Sequence, residues 1–139
     1  VLLLDNSAWS RIVDGALDEE RAATVAEWID QRHLATTLPF LLEAGYSAQS
    51  AADHQTKLSQ LDVLPRVHIS QEVERLALQA QHELALVGHH RLPPIDLIVA
   101  ACAHQAEAGV LHYDRDYDVI ATRTGLRFES EWLAPPGTL

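Results

Sequence analysis

The sequence predicts an α/β protein built on a mostly parallel sheet with helices on both sides. Three observations predict it. The chain opens on an unbroken apolar run, Val1-Leu2-Leu3-Leu4, without alternating polar positions, which is how a strand covered on both faces reads in sequence. A second short apolar run, Val110-Leu111-His112-Tyr113, lies far along the chain. Between such runs stand segments with helical spacing, so strands alternate with helices and successive strands are joined by right-handed crossovers.

Each element has a local reason. After Asp5, the apolar residues Ala8, Trp9, Ile12 and Val13 recur at helical spacing up to Gly15, giving a short helix. Asp18-Glu19-Glu20 suit the positive end of a helix dipole, and a second helix continues through AATVAEWID. HLATT reads as a short strand, and LPFLLEAGYSAQSAADHQTKLSQL as one long helix. Val63 to Ile69 carries no clear period; a short strand holding Val67 and Ile69 is the expectation. QEVERLALQAQHELALVG is amphipathic and stops at Gly88, HHRLPP is a loop, and IDLIVAACAHQAEAG is a helix approached by Pro93-Pro94 and left at Gly109. DRDYDVIATRTG gives a turn and a helix, RFESEWL a closing strand, and PPGTL a tail expected to fray. No repeat, linker or low-complexity segment interrupts the chain.

Bulk properties set limits. At 139 residues the chain is expected to form one domain, residues 1–139, burying roughly two thirds of its unfolded surface. Its 47% apolar and 22% charged residues are those of a folded globular protein rather than a disordered one. Cys102 lies in the helical apolar stretch IVAACAHQA and reads as a small buried hydrophobe; a single cysteine fits a reducing, cytoplasmic setting. The longest apolar stretch, LIVAACA, falls far short of the ~18 to 20 residues of a membrane span, and no leader precedes the first strand. A soluble, cytosolic protein without membrane association is the expectation. The formal charge of −10 argues against a polyanion-binding surface unless carboxylates converge on one site, where divalent cations would invert the local sign.

Ligands of parallel sheets gather outside the carboxyl ends of the strands. Asp5 and Asp114 each follow an apolar strand, which puts both on that rim. Asp5 has a second reading, as the cap of the following helix. Glu43 sits among Leu41, Leu42, Ala44 and Tyr46 early in the long helix, where a solvated glutamate is the plain alternative. Asp96 opens a helix that is apolar nearly all round, and the free N–H groups of a first turn could account for it.

Together these segments point further. LLLDNSAW, LLEAGYSA, PPIDLIVAACA and LHYDRDYDVIATRTGLR resemble the motifs of PIN-domain ribonucleases, specifically the VapC-like toxins of toxin–antitoxin pairs, from residue 2 to about residue 129. The resemblance implies a three-layer α/β/α fold. It also implies that Asp5, Glu43, Asp96 and Asp114 are the catalytic acidic set, that Asp116 supports metal binding beside them, and that Ser7 is the small hydroxyl residue after the first aspartate. Asn6 departs from the Thr or Lys frequent in relatives. Asp118 is read as surface charge.

Carboxylates packed together repel one another, and a hard divalent cation with oxygen ligands resolves the conflict. Mg2+, with Mn2+ as a substitute, is therefore the expected cofactor, and the expected reaction is in-line hydrolysis of RNA leaving a 5′-phosphate and a 3′-hydroxyl, without a covalent intermediate. The resemblance further implies a homodimer and a cognate VapB-like antitoxin; on physical grounds the expectation is that an antitoxin segment covers an apolar groove beside the long helix and places an arginine among the carboxylates. The other side chains are less telling. His33, His54, His68, His82, His104 and His112 form no zinc-binding spacing. His89-His90-Arg91 is either an RNA-contacting or a solvated loop; Trp9, Trp28 and Trp132 read as packing residues; Arg11, Arg115 and Arg123 are candidates to rim the site.

Competing readings remain at this stage. An aspartyl-nucleophile phosphatase needs an Asp where Ser7 stands, and a receiver domain needs acidic residues clustered early in the chain. A DNA-directed nuclease of related fold and a non-catalytic module with an acidic pocket stay open.

Overall fold

Burial of the first strand on both faces organises the molecule. The computed structural model describes residues 1–139 and has one sheet of four strands, β1 (Leu2–Leu4), β2 (Leu34–Ala35), β3 (Gly109–His112) and β4 (Ser130–Trp132). Their order is β2-β1-β3-β4 and every pair is parallel. The helices are α1 (Asn6–Val13), α2 (Glu19–Asp30), α3 (Leu38–Tyr46), α4 (Ala51–Leu61), α5 (Gln71–Leu86), α6 (Pro94–Ala106) and α7 (Asp116–Arg123).

Strand residues alternate between faces, so the sheet feeds two cores. Leu2, Leu4, Leu34 and Leu111 pack with Ala8, Val25, Phe40, Leu41 and Leu61 of α1 to α4. Leu3, Ala35 and Val110 pack instead with Val73, Ala80 and Leu84 of α5, Val99 to Ala103 of α6, and Tyr117 and Ile120 of α7. The result is the three-layer α/β/α arrangement, with each fully buried leucine contributing about 1.5–3 kcal/mol. Cys102 belongs to the second core, where burial pushes its thiol up to about 11, so it packs as a hydrophobe. No helix is long and apolar enough to cross a membrane.

Helix starts follow the polar residues in the sequence. Asp5, Asp18, Ser50 and Ser70 each accept a hydrogen bond from a backbone N–H in the first turn of α1, α2, α4 and α5. One of these caps corrects the expected long helix, which breaks between Tyr46 and Ala51. Ser50 Oγ accepts from Asp53 N–H while Asp53 Oδ2 accepts from Gln49 N–H, a reciprocal box that starts a new helix where the apolar period alone would carry on.

The segment from Val63 to Ile69 forms no strand. It makes a single parallel bridge between Thr36 and Arg66, with Thr36 N–H donating to Pro65 O at 2.9 Å and Val67 N–H to Thr36 O at 2.8 Å. Pro65 has no N–H to extend a ladder. The tail is also better held than expected, since Leu139 N–H donates to the Tyr113 hydroxyl at 2.8 Å. Beyond β4, Arg21 donates to the carbonyls of Leu133 and Trp132 at 2.5 and 3.0 Å, tying α2 to the last strand.

Gly109 starts β3 where no side chain fits: a Cβ there would stand 2.7 Å from Leu2 Cδ2 and 2.9 Å from the Glu129 carbonyl oxygen. Because the second neighbour is backbone, Gly109→Ala is expected to destabilise the protein by about 1–3 kcal/mol, read as a lower urea midpoint at unchanged slope. An unchanged midpoint would mean that β1, β3 and β4 part freely.

Candidate metal centre

The parallel sheet sets the site by delivering neighbouring strand exits to one rim. β1 and β3 are in register at Leu4 and Leu111, and Asp5 N–H still donates to Leu111 O at 3.0 Å. Asp5 is thus both the last residue tied to the sheet and the cap of α1. The two readings of Asp5 are compatible.

Three donors converge on the buried Asp5 carboxylate. Oδ2 accepts from Ser7 N–H at 3.0 Å and Ser7 Oγ at 2.5 Å, and Oδ1 accepts from the Tyr117 hydroxyl at 2.7 Å. Ser7 Oγ in turn accepts from Tyr113 N–H at 2.9 Å, stitching the start of α1 to the exit of β3. Each bond to a charged group is worth about 1.5–3 kcal/mol, so Asp5 has a fixed orientation.

Asp96 is treated differently. It lies in the first turn of α6, is only 6% exposed, and its Oδ2 has no hydrogen-bond partner. Its Oδ1 is 3.4 Å from the Tyr117 hydroxyl. Burial above all, then the charges of Asp5, Asp114, Asp116 and Glu43, push its carboxyl from 3.8 up to about 8.

Asp114 follows β3 by two residues, and its Oδ1 accepts from Asp116 N–H at 2.9 Å. Asp116 opens α7, with its carboxyl raised by burial and then by Asp114; Glu43, half-buried on α3, is raised by burial and then by Asp5. Asp5, Ser7, Glu43, Asp96 and Asp114 line one cleft of about 720 Å³. One oxygen from each of Asp96, Asp114 and Asp116 falls within 4.8 Å of the others. The five acidic residues proposed from the sequence, with Ser7, therefore meet at one end of the sheet. A wider cleft of about 850 Å³ near Val1, His104, Glu107 and Glu129 opens at the amino ends of β1 and β3, where no such convergence exists.

An all-oxygen donor set suits a hard divalent cation, and the unpartnered Asp96 Oδ2 supplies a buried lone pair for it. The residues present fit such an ion.

Several residues behind the site escaped the sequence reading. Tyr117 is wholly buried and reaches Asp5 and Asp96. Asp118 is not plain surface charge: it accepts from Ser130 Oγ at 2.7 Å and Trp132 Nε1 at 2.9 Å. His112 is buried against Tyr117, and its signal in sequence was position alone, two residues before Asp114. The arginines divide. Arg115 is exposed between Asp114 and Asp116. Arg11 is committed to Ser7 O at 2.8 Å and to the Tyr113 ring at 4.3 Å, while Arg123 ends α7, about 10 Å along the helix from Asp116 at ~1.5 Å per residue.

A parallel α/β/α sandwich with carboxylates from two strand exits and three helices on one rim has the architecture of a PIN domain. The chain belongs to the PIN-domain family, whose description matches residues 2–122. It is VapC-like: it is 44% identical to "Ribonuclease VapC18" of Mycobacterium tuberculosis (strain ATCC 25618 / H37Rv), across 70% of this chain and 72% of that protein. It is 39% identical to "Ribonuclease VapC2" of Mycobacterium tuberculosis (strain CDC 1551 / Oshkosh), across 68% and 70%. Among solved structures, a VapBC2 complex from Rickettsia felis bound to a promoter DNA fragment superposes with a TM-score of 0.75 at 16% identity, covering 94% of this chain and 98% of that one. A DNA-bound VapBC from Salmonella typhimurium gives 0.72 at 17%, covering 96% and 98%. These two likenesses establish the fold.

The raised Asp96 carboxyl makes stability depend on pH. Between about pH 4 and pH 8 the folded chain holds a proton that the unfolded chain has released, so without divalent ions this contribution is present at low pH and lost as pH rises through the window. Glu43 and Asp116 act in the same direction, whereas the lowered His112 opposes them, its contribution being lost as pH falls through the imidazole range. Asp96→Asn removes only the first effect. In EDTA, the melting temperature of Asp96→Asn minus that of the unsubstituted chain is expected to grow from pH 4 to pH 8; parallel curves would mean an ordinary carboxyl at Asp96.

Proposed function

We propose that this chain is a Mg2+-dependent endoribonuclease toxin, with Mn2+ as a substitute, neutralised by a cognate VapB-like antitoxin. The carrying observation is Asp96, a buried carboxylate that has one unpartnered oxygen and clusters with Asp114 and Asp116. The names of the relatives, ribonucleases VapC18 and VapC2, support RNA as the substrate. The neighbouring VapBC complexes support an antitoxin partner.

In this reading Asp96, Asp114 and Asp116 hold the cation and Asp5 completes the acidic wall. When bound, the ion supplies positive charge that admits a phosphate and makes water a better nucleophile near neutral pH. Ser7 and Tyr117 hold Asp5 in place throughout. Glu43, a half-buried carboxylate lining the same cleft, accepts the proton given up by attacking water. As the water oxygen bonds to phosphorus the P–O3′ bond breaks; the leaving 3′-oxygen takes a proton from solvent to become the 3′-hydroxyl, and the 5′-phosphate stays on the other fragment. The exposed Arg115, between Asp114 and Asp116, and the exposed loop His89-His90-Arg91, just ahead of Pro93, supply cationic and polar contacts to the backbone of the RNA.

The test compares one single-stranded sequence as RNA and as DNA. RNA cleavage is expected to stop in EDTA, to return with Mg2+ or Mn2+, and to fall on the order of 100-fold or more in Asp5→Asn and Asp96→Asn, while both variants keep the native circular dichroism spectrum. Full turnover in chelator would replace the metal with metal-free acid–base cleavage. Equal cutting of DNA would make this a DNA-directed nuclease, and metal binding without any cleavage would leave a binding module.

The same reading includes a homodimer and places the antitoxin in the groove between α1, α3 and α4, lined by Trp9, Val13, Ala44 and Lys57 beside the carboxylate cleft. An apolar cleft between α5 and α6, lined by Ala77, Leu78, Leu97 and Ile98, offers a surface for the second copy. Sedimentation is expected to give twice the chain mass, rising again when a cognate antitoxin is added, with RNA cleavage suppressed in the complex. A monomer, or a complex that cuts as fast as the free chain, would remove that part of the reading.

A further inference from the structure

Behind the acidic cleft runs a chain of hydrogen bonds whose proton positions are all determined. At one end, Asp114 N–H lies 3.1 Å from His112 Nδ1. A backbone N–H can only donate, so Nδ1 must accept and bears no proton. The ring proton then sits on Nε2, which is 2.7 Å from Ser130 Oγ. Ser130 accepts that proton and donates its own to Asp118 Oδ1 at 2.7 Å. The other Asp118 oxygen takes the indole N–H of Trp132, another obligate donor, at 2.9 Å.

We infer that Asp118 and Ser130 select the tautomer of the buried His112 ring that receives the Asp114 backbone N–H, which makes Asp118 and His112 positioning residues for the acidic site. The ring is stacked on Tyr117 at 4.9 Å and 28° and meets Trp132 at 5.0 Å. Tyr117 carries the hydroxyl that holds Asp5. One buried imidazole therefore backs both strand exits. Its bond to Asp114 N–H fixes the turn by which the chain leaves β3, and so the direction of a carboxylate that the sequence places two residues further on.

The inference rests on the reading of Asp114 as a cation ligand, and the experiment separates the two. The variants are chosen by geometry. Asparagine at 112 can put its amide oxygen where Nδ1 stands and keep an acceptor for Asp114 N–H; glutamine reaches the Nε2 position and cannot. In Asp118→Asn the amide oxygen serves the indole N–H, the amide NH2 faces Ser130 Oγ, and the serine proton turns to His112 Nε2. The ring proton then moves to Nδ1, where it opposes Asp114 N–H.

The measurements are the His112 tautomer by long-range 1H–15N NMR of the metal-free chain, Mn2+ affinity by EPR titration, and thermal unfolding. The unsubstituted chain is expected to be protonated at Nε2, and Asp118→Asn at Nδ1. Mn2+ affinity is expected to fall about 10-fold in Asp118→Asn and in His112→Gln, while His112→Asn stays close to the unsubstituted chain. Retention of the Nε2 tautomer in Asp118→Asn, or equal losses in His112→Asn and His112→Gln, would reduce the chain of bonds to packing and overturn the inference. If the unsubstituted chain binds Mn2+, Asp96→Asn does not, and Asp118→Asn and His112→Gln bind normally, the inference falls and the cation site stands. If the unsubstituted chain binds no Mn2+, both fall.

Discussion

Repulsion among carboxylates held in a partly buried cleft is the constraint around which this structure is arranged. Asp5 and Asp96 face the same space and are almost equally enclosed, at 5% and 6% exposure, yet they are supported in opposite ways. Three donors satisfy Asp5, whereas Asp96 keeps an oxygen with no partner at all. Leaving a buried charged group without a partner costs several kcal/mol, and a protein escapes that cost by neutralising the group or by pairing it. In the proposed function a divalent cation would compete with a proton for Asp96, and it would gain from every neighbouring carboxylate that raises the proton affinity. The electrostatic conflict and the capacity to bind are one property.

The scaffold makes that conflict tolerable by fixing the groups before any ion arrives. Parallel pairing of β1 with β3 brings Asp5 and Asp114 out side by side, and the first turns of α6 and α7 add Asp96 and Asp116 where helix dipoles favour negative charge. Hydrogen bonds then orient rather than merely satisfy. Ser7 bridges Asp5 to the backbone of Tyr113, Tyr117 reaches across to Asp5, and His112 stands behind both with its ring against Tyr117. Such supporting bonds are the usual way in which ligands keep the orientation that a metal demands.

What the sequence revealed and what it hid divide along the range of the forces. Asp5 and Asp114 were legible because each follows an apolar strand, and a parallel sheet brings such exits together; Asp96 was legible as an aspartate opening a helix that is apolar nearly all round. Glu43 was legible through its apolar neighbours and the family resemblance. The break after Tyr46 was not, because apolar spacing continues across it and the Ser50–Asp53 box competes only locally. A strand at Val67 and Ile69 fitted β propensity, but Pro65 and a lone bridge to Thr36 leave no ladder to join. Asp118 looked like a solvated residue on a helix surface; its partners, Ser130 and Trp132, arrive from β4, and no spacing within α7 announces them.

Charge is where local and global arguments part. A net charge of −10 would oppose any polyanion if it acted as a whole. At physiological salt, however, exposed charges more than about 8 Å apart are largely screened, so the net charge counts for less at the cleft than the carboxylates that line it. The few ångströms around Asp96, Asp114 and Asp116 decide what approaches, and in the proposed function a divalent cation there would offset part of the negative charge. The distant acidic surface instead governs encounter rates, slowing a polyanion and hastening a basic polypeptide, most strongly at low ionic strength. In the proposed function this asymmetry works for restraint: the same field would slow the approach of RNA and hasten that of a cationic inhibitor segment.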